Sequence, residues 1–166
     1  MKKFELTAEF VMNVFGKKLF RIKALVAFGD VEKGELGGFI EKEDNLSHSG
    51  NAWVYGNALV YGDAWVSGNA RVSGNAWVSG DAKVSGDADY AVVGGFGRYF
   101  RATTFFRCKD KILRVQCGCF YDDLTQFRKI VKKTHGNSKY AKEYLAIADL
   151  MELHFSDEEE RQEATE

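Results

Sequence analysis

The chain has 166 residues, 45% of them hydrophobic and 28% charged, with a formal net charge of −1, the balance of an ordinary soluble globular protein. No run approaches the roughly 20 apolar residues of a helical membrane span, and the start MKKFELTAEF lacks the apolar stretch of a secretory leader, so a cytoplasmic location without a membrane partner is expected. Charge is unevenly spread: residues 1–49 are net 0, residues 50–96 net −2, residues 97–155 net +6, and the tail 156–166 net −5.

In chain order, FELTAEFV reads as a strand or a short helical turn, and KKLFRIKALVAF as one or two strands. GDVEKGELGGFIEKEDNLSHSG reads as an irregular coil, with Phe39, Ile40 and Leu46 as its apolar candidates. Residues 1–49 are therefore predicted to form an N-terminal β cap and an irregular first coil. From Gly50 to about residue 91 the chain repeats in sixes: GNAWVY, GNALVY, GDAWVS, GNARVS, GNAWVS, GDAKVS and a degenerate GDADYA. Val54, Val60, Val66, Val72, Val78 and Val84 each sit centrally in a short extended segment, so valine faces one side and its two neighbours the other. Alanine fits a tight inner corner, and Gly-Asn or Gly-Asp supplies the turn. Strand and turn in alternation describe a three-sided coil of three hexads, in which residues 18 apart stack.

This pattern of an aliphatic residue followed four positions later by a small one, as in Val54 and Ala58, resembles the hexapeptide-repeat left-handed parallel β-helix family. The resemblance implies a mainly β fold built on a short left-handed parallel β-helix, and a three-fold homo-oligomer. The predicted ladders are Trp53/Arg71/Asp89, Leu59/Trp77 and Trp65/Lys83, with Tyr55 and Tyr61 beside them. An early coil presenting Trp53, Tyr55, Leu59, Tyr61, Trp65 and Trp77 outward would form a large apolar patch, to be covered either by the flanking segments or by a second subunit. Arg71 beside Trp53 and Lys83 beside Trp65 can make cation–π contacts, against ordinary surface packing. Asp63 and Asp81 share a corner, but turn carboxylates usually face water, and no metal is assigned.

Residues 92–155 are predicted to be a basic ββαα module. AVVGGFGRYF reads as a glycine-rich hinge, and RATTFFRC and KILRVQCGCF as a hairpin around KD. Asp122 or Asp123 can cap a first helix with Leu124, Phe127 and Val131 on one face, stopped by Gly136; Ser138 can cap a second. Residues 156–166 read as an acidic, solvated tail. This module and GGFIEKEDNLS resemble segments of bacteriophage and prophage proteins that pair a hexapeptide β-helix with such a tail.

Acyltransferases and γ-type carbonic anhydrases of the hexapeptide fold need histidine on the coils. Only His48, His135 and His154 occur, with His48 alone near the repeats, so the reading is non-enzymatic and without a cofactor. Cys108, Cys117 and Cys119, with His135 as a fourth zinc ligand to consider, read instead as buried free thiols, because Cys-x-Cys lacks the usual knuckle spacing. The chemistry-bearing cluster is cationic and aromatic: Arg98, Tyr99, Arg101, Arg107, Lys109 and Arg114, interleaved with phenylalanines. Guanidinium groups pair with phosphate and aromatic faces stack on bases. The expected ligand is small, anionic and nucleotide-like. Polymeric nucleic acid is disfavoured because the acidic tail opposes a long phosphate chain. The resulting expectation is a phage-type oligomeric binding protein that sequesters a nucleotide-like host immune signal. A host defence protein as the partner is the alternative, and acyl transfer the third reading.

Overall fold

The computed structural model of the protein describes residues 2–156, so the predicted acidic tail lies, apart from Ser156, outside the described residues. Strands β1 (Phe4–Met12) and β2 (Lys18–Ala24) form an antiparallel hairpin, and β3 (Leu36–Ile40) runs antiparallel to β2. Asn13 closes the hairpin: its Oδ1 accepts the N–H groups of Phe15 and Lys17.

The hexads form six two-residue strands, β4 (Trp53–Val54), β5 (Leu59–Val60), β6 (Trp65–Val66), β7 (Arg71–Val72), β8 (Trp77–Val78) and β9 (Lys83–Val84). β4 pairs with β7, β5 with β8 and β6 with β9, all in parallel, so the expected steps Trp53/Arg71, Leu59/Trp77 and Trp65/Lys83 are present, whereas Asp89 leaves the ladder because Asp87–Asp89 forms a 3-10 turn. Upstream, Ile40 faces Val60 and Leu46 faces Val66, which brings the irregular segment into the same stack. All six valines of the repeat are 0% exposed, and Ala52, Ala58, Ala70, Ala76 and Ala82 are equally buried. Burial of one such valine contributes about 1.5–3 kcal/mol, which makes the valine column the main driving force for stacking. Gly50 through Gly80 open each hexad with φ between +59° and +72°; Gly86 is extended at −164°, and there the repeat ends.

A parallel ladder leaves a row of free amides at its last coil, an edge open to unwanted pairing. Here side-chain oxygens from the following chain meet those amides. Arg71 N–H donates to Asp87 Oδ1, Ser73 N–H to Tyr90 Oη, Trp77 N–H to Thr104 Oγ1, Asp81 N–H to Tyr121 Oη and Ser85 N–H to Asp89 Oδ2.

The C-terminal segment corrects one expectation. The hairpin of β11 (Thr103–Arg107) and β12 (Leu113–Cys117) is the centre of a four-stranded antiparallel sheet, not an isolated pair. β10 (Tyr90–Val93), read from sequence as the start of a hinge, pairs with β11, and β13 (Phe120–Asp123) pairs with β12. Its β-branched pair Val92 and Val93 outweighs the flanking glycines because a partner strand is at hand. Helix α1 (Leu124–His135) is capped by Asp123, which accepts the Gln126 N–H, and ends at Gly136; α2 (Lys139–His154) is capped by Ser138, which accepts the Ala141 N–H. Both helices cover one face of this sheet, with Phe105, Val115, Phe127, Val131, Tyr144, Ala148 and Met151 between them. The architecture is mainly β with two C-terminal helices. No described helix is long and apolar enough to cross a membrane.

The expected outward patch is largely closed within the chain. Trp53 is 0% exposed, beneath Phe4 and Phe28 at ring separations of 6.4 and 5.2 Å. Leu19 and Val11 of the hairpin cover Phe39, Leu59, Tyr61 and Trp77. Tyr55 is half-buried, and Trp65 alone among these aromatics is exposed, at 39%. Of the two cations weighed for cation–π contact against ordinary packing, Arg71 forms an ion pair with Asp30, while Trp53 is buried under the N-terminal strand.

Candidate functional site

The loop from Gly94 to Ala102 connects β10 to β11 and carries Arg98, Tyr99 and Arg101. Three of its residues, Gly95, Gly97 and Phe100, have positive φ, a conformation that turns the chain sharply. The loop lies against the helices. Gly97 N–H donates to Glu143 Oε2 at 3.5 Å, and a Cβ on Gly97 would lie 2.1 Å from Tyr144 Oη, so only glycine fits there.

Beside this loop is a cleft of about 300 Å³. Its floor is apolar: Phe120 from β13, Phe127, Ile130 and Val131 from α1, and Tyr144 from α2. Its mouth carries Arg98, Tyr99 and Arg101, with both guanidinium carbons near the Tyr99 ring, at 5.5 and 5.2 Å from its centroid. Among the described residues neither arginine is paired with a carboxylate, and Tyr99 is 65% exposed. Burial pushes the Tyr144 phenol above its ordinary range, with Cys117 beside it adding to the rise and Arg101 opposing it. Two unneutralised guanidiniums at the rim of an apolar slot suit a ligand with an anionic end and a flat apolar body.

The six cations and aromatics singled out in the sequence divide into two groups. Arg98, Tyr99 and Arg101 converge on the cleft. Arg107 pairs with Asp89 at 3.2 Å and lies over Phe155; Arg114 pairs with Asp110 at 2.8 Å; Lys109 donates to the Asp63 carbonyl at 2.8 Å and fastens the hairpin to a coil corner. These three are neutralised or anchored where they stand, because the β11–β12 hairpin packs on the coils and its acidic neighbours come with it. A second cleft, of about 450 Å³, shares Arg101 and Cys119 with the first and adds Trp77, Asn75 and Val14; here the C-terminal segment meets the coils.

The thiols differ from their expected uniform burial. Cys108 is buried and its thiol is pushed up to about 11 by that burial, whereas Cys117 is half-buried, accepting from Thr103 Oγ1, and Cys119 is exposed. Gly118 and Cys119 form the turn between β12 and β13, so strand alternation does not apply and both sulfurs line the arginine cleft, with His135 on the opposite wall. Among the described residues no three His, Cys, Asp or Glu side chains are grouped to hold a metal. His48 stacks on Phe4 at 4.2 Å, accepts the Lys3 N–H at Nδ1 and contacts Glu43 through Nε2 at 2.7 Å, so both ring nitrogens are engaged in packing the N-terminal strand. Asp63 forms an ion pair with Lys42 at 2.9 Å.

The YdcK beta-solenoid repeat model matches residues 52–68 and 64–80. This is a β-solenoid repeat protein. The matched residues contain Trp53 to Val78 and none of the arginine cleft. No curated protein matches the chain.

Proposed function

We propose that this β-solenoid protein is a non-enzymatic binding protein for a small anionic, nucleotide-like ligand, held in the cleft between the Arg98–Arg101 loop and the two helices. The observation that carries this reading is the pair of guanidiniums, without a carboxylate partner among the described residues, that flank Tyr99 at the mouth of an apolar slot. The phosphate end of the ligand meets Arg98 and Arg101, the base stacks on Tyr99, and the apolar floor takes the flat ring. The coils supply the rigid support, since the β10–β13 sheet is bonded to their last turn. In this proposal the hexads are a hexapeptide-repeat, left-handed coil with residues 1–49 as its cap, the protein is phage-type, and sequestration of a host nucleotide signal is its role. A homo-oligomer, with the exposed Trp65 face as its contact, belongs to the same proposal.

A second reading, contact with a host defence protein, is favoured by one observation: Phe96, Tyr99 and Phe100 are exposed together on the same loop. Thermal shift separates the two. A ligand at 100 times its dissociation constant stabilises the folded state by about 2.7 kcal/mol. A panel of mononucleotides, cyclic dinucleotides and cyclic ADP-ribose isomers should contain members that raise the melting temperature of the native protein but not of Arg98→Ala/Arg101→Ala. No shift with any member, together with stable capture of a host polypeptide that Phe100→Ser abolishes, supports the second reading and overturns the first.

A further inference from the structure

The arginine cleft, of about 300 Å³, and the second cleft, of about 450 Å³, meet at one side chain: Arg101 lines both, with Cys119 beside it. Cys117 pairs with Phe120 across the turn from β12 to β13, which leaves Gly118 and Cys119 as its two central residues. Gly118 has φ +56°, and a Cβ there would collide with Arg101 Nη1, so the missing side chain makes the room that the guanidinium occupies. The Tyr99 ring centroid lies 5.2 Å from the guanidinium carbon. Arg101 is exposed, so this cation is open to solvent at the junction of the two clefts.

The walls on the far side of Arg101 are suited to a second flat ring. Trp77 is half-buried, with Val14 of the β1–β2 turn and Asn75 exposed around it. Among the described residues the Asn75 side-chain amide has no partner, so its donor and its acceptor are both free for the edge of a base. The coil before carries Leu59 at the position of Trp77, so stacking of the repeat does not require an indole there. Arg101 is also the only charged residue lining this cleft, and no carboxylate lines either one. Arg98 lines the first cleft alone.

We infer that the two clefts are one bipartite site and that its ligand is a dinucleotide, an inference that rests on the function proposed above and names its ligand more closely. One base stacks on Tyr99 over the apolar floor, and the second lies against Trp77 with its edge toward Asn75. The phosphate that joins the two nucleosides meets Arg101 at the junction, and a further phosphate meets Arg98. A mononucleotide fills the first cleft and leaves Trp77 and Asn75 uncovered. Once the first base is seated, the second binds as part of the same molecule, so its contacts add to affinity without a second association cost.

The test is calorimetric titration of the full chain with the four 5′-mononucleotides, the matching 5′-phosphorylated homodinucleotides and their cyclic forms, and the hexyl phosphodiester of each mononucleotide. The best dinucleotide is expected to bind one per chain and about tenfold more tightly than its mononucleotide. That ratio corresponds to roughly 1.4 kcal/mol, within the range for one base stacked on an aromatic side chain. The hexyl diester, which offers a tail in place of the second ring, should gain less. Trp77→Leu, which installs the residue that the preceding coil already carries, should remove the dinucleotide's advantage and leave mononucleotide affinity unchanged. Asn75→Ala, at an exposed position, should lower dinucleotide affinity about fivefold, the share of one hydrogen bond, again without touching the mononucleotide. Arg101→Ala should weaken both ligands. Mononucleotide binding with no gain for any dinucleotide, a gain that the hexyl diester matches, or a gain that survives both Trp77→Leu and Asn75→Ala would overturn the bipartite site and leave the proposed function standing. Binding of neither class would overturn both.

Discussion

Gly80 lies where Tyr121 of the C-terminal sheet packs on the coils, and its replacement by alanine isolates that contact. Its φ is +59°, and a Cβ there would lie 2.1 Å from Tyr121 Oη and 2.3 Å from the ring carbon that bears it. Left-handed backbone costs a non-glycine residue about 1–2 kcal/mol. Tyr121 must also withdraw, giving up the Asp81 N–H at 3.3 Å, worth about 1 kcal/mol, and its stacking on Phe106 at 6.1 Å, worth about 0.5–1.5 kcal/mol. The total is about 3–4 kcal/mol. Gly74 provides the control: its φ is +66° and nothing lies within 4 Å of its Cβ position, so Gly74→Ala should cost only the backbone share of about 1–2 kcal/mol. Urea denaturation followed by tryptophan fluorescence and circular dichroism gives both values. Equal losses for the two substitutions would refute the claim that Tyr121 on Gly80 locks the sheet to the solenoid.

Three further outcomes are expected. Phe4→Ala uncovers Trp53 and leaves a large cavity over the first repeat, so stability should fall by about 3–5 kcal/mol with a red shift in tryptophan emission. Ser138→Ala removes the acceptor for the Ala141 N–H and should cost about 1 kcal/mol in thermal or chemical unfolding, with little effect on ligand binding. Stability should also change sign in its pH dependence. Lys3, buried with its Nζ donating to the Ala52 carbonyl at 2.7 Å, is lowered to about 8 by that burial, so the cost of holding its charge is full below about pH 8 and disappears as the pH rises toward 10.5. Cys108, raised to about 11, and Tyr121, raised to about 12, contribute stability that is full below their unfolded values of 9.0 and 10.0 and is lost through the folded ones. The urea midpoint should therefore rise between pH 8 and 9 and fall above 10. Lys3→Met should remove the rise, and a flat profile in the native protein would contradict the burial of Lys3.

The candidate site shows where reading letters stops. Arg98, Tyr99 and Arg101 were legible as chemistry because cations interleaved with aromatic residues suit an anionic, flat ligand. Arg107, Lys109 and Arg114 looked the same in the sequence, and only their contacts with Asp89, the Asp63 carbonyl and Asp110 remove them from the site. The floor of the cleft was not legible at all: Phe127 and Val131 read as helix core, which they also are, while Ile130, His135 and Tyr144 reach the cleft only through the packing of α1 and α2. Asn13 carried no signal, and Tyr61 read only as an outward aromatic. Their burial is created by the β1–β2 hairpin folding over the coils.

The repeat by itself determined the solenoid and its register in multiples of six: glycine at every sixth position and valine four residues later keep turn over turn and valine over valine, and the pairing of Trp53 with Arg71, Leu59 with Trp77 and Trp65 with Lys83 selects three hexads per step. The helix ends were local too, because Asp123, Ser138 and Gly136 act through backbone groups within a few residues. Only the tertiary structure decided that Trp53 is interior, that Tyr90–Val93 is a strand and that three of the six marked residues form a cleft. Each of these depends on a partner distant in sequence, Phe4 for Trp53, β11 for β10, and α2 for the arginine loop, and the free energy of such a contact belongs to the pair and not to either segment alone.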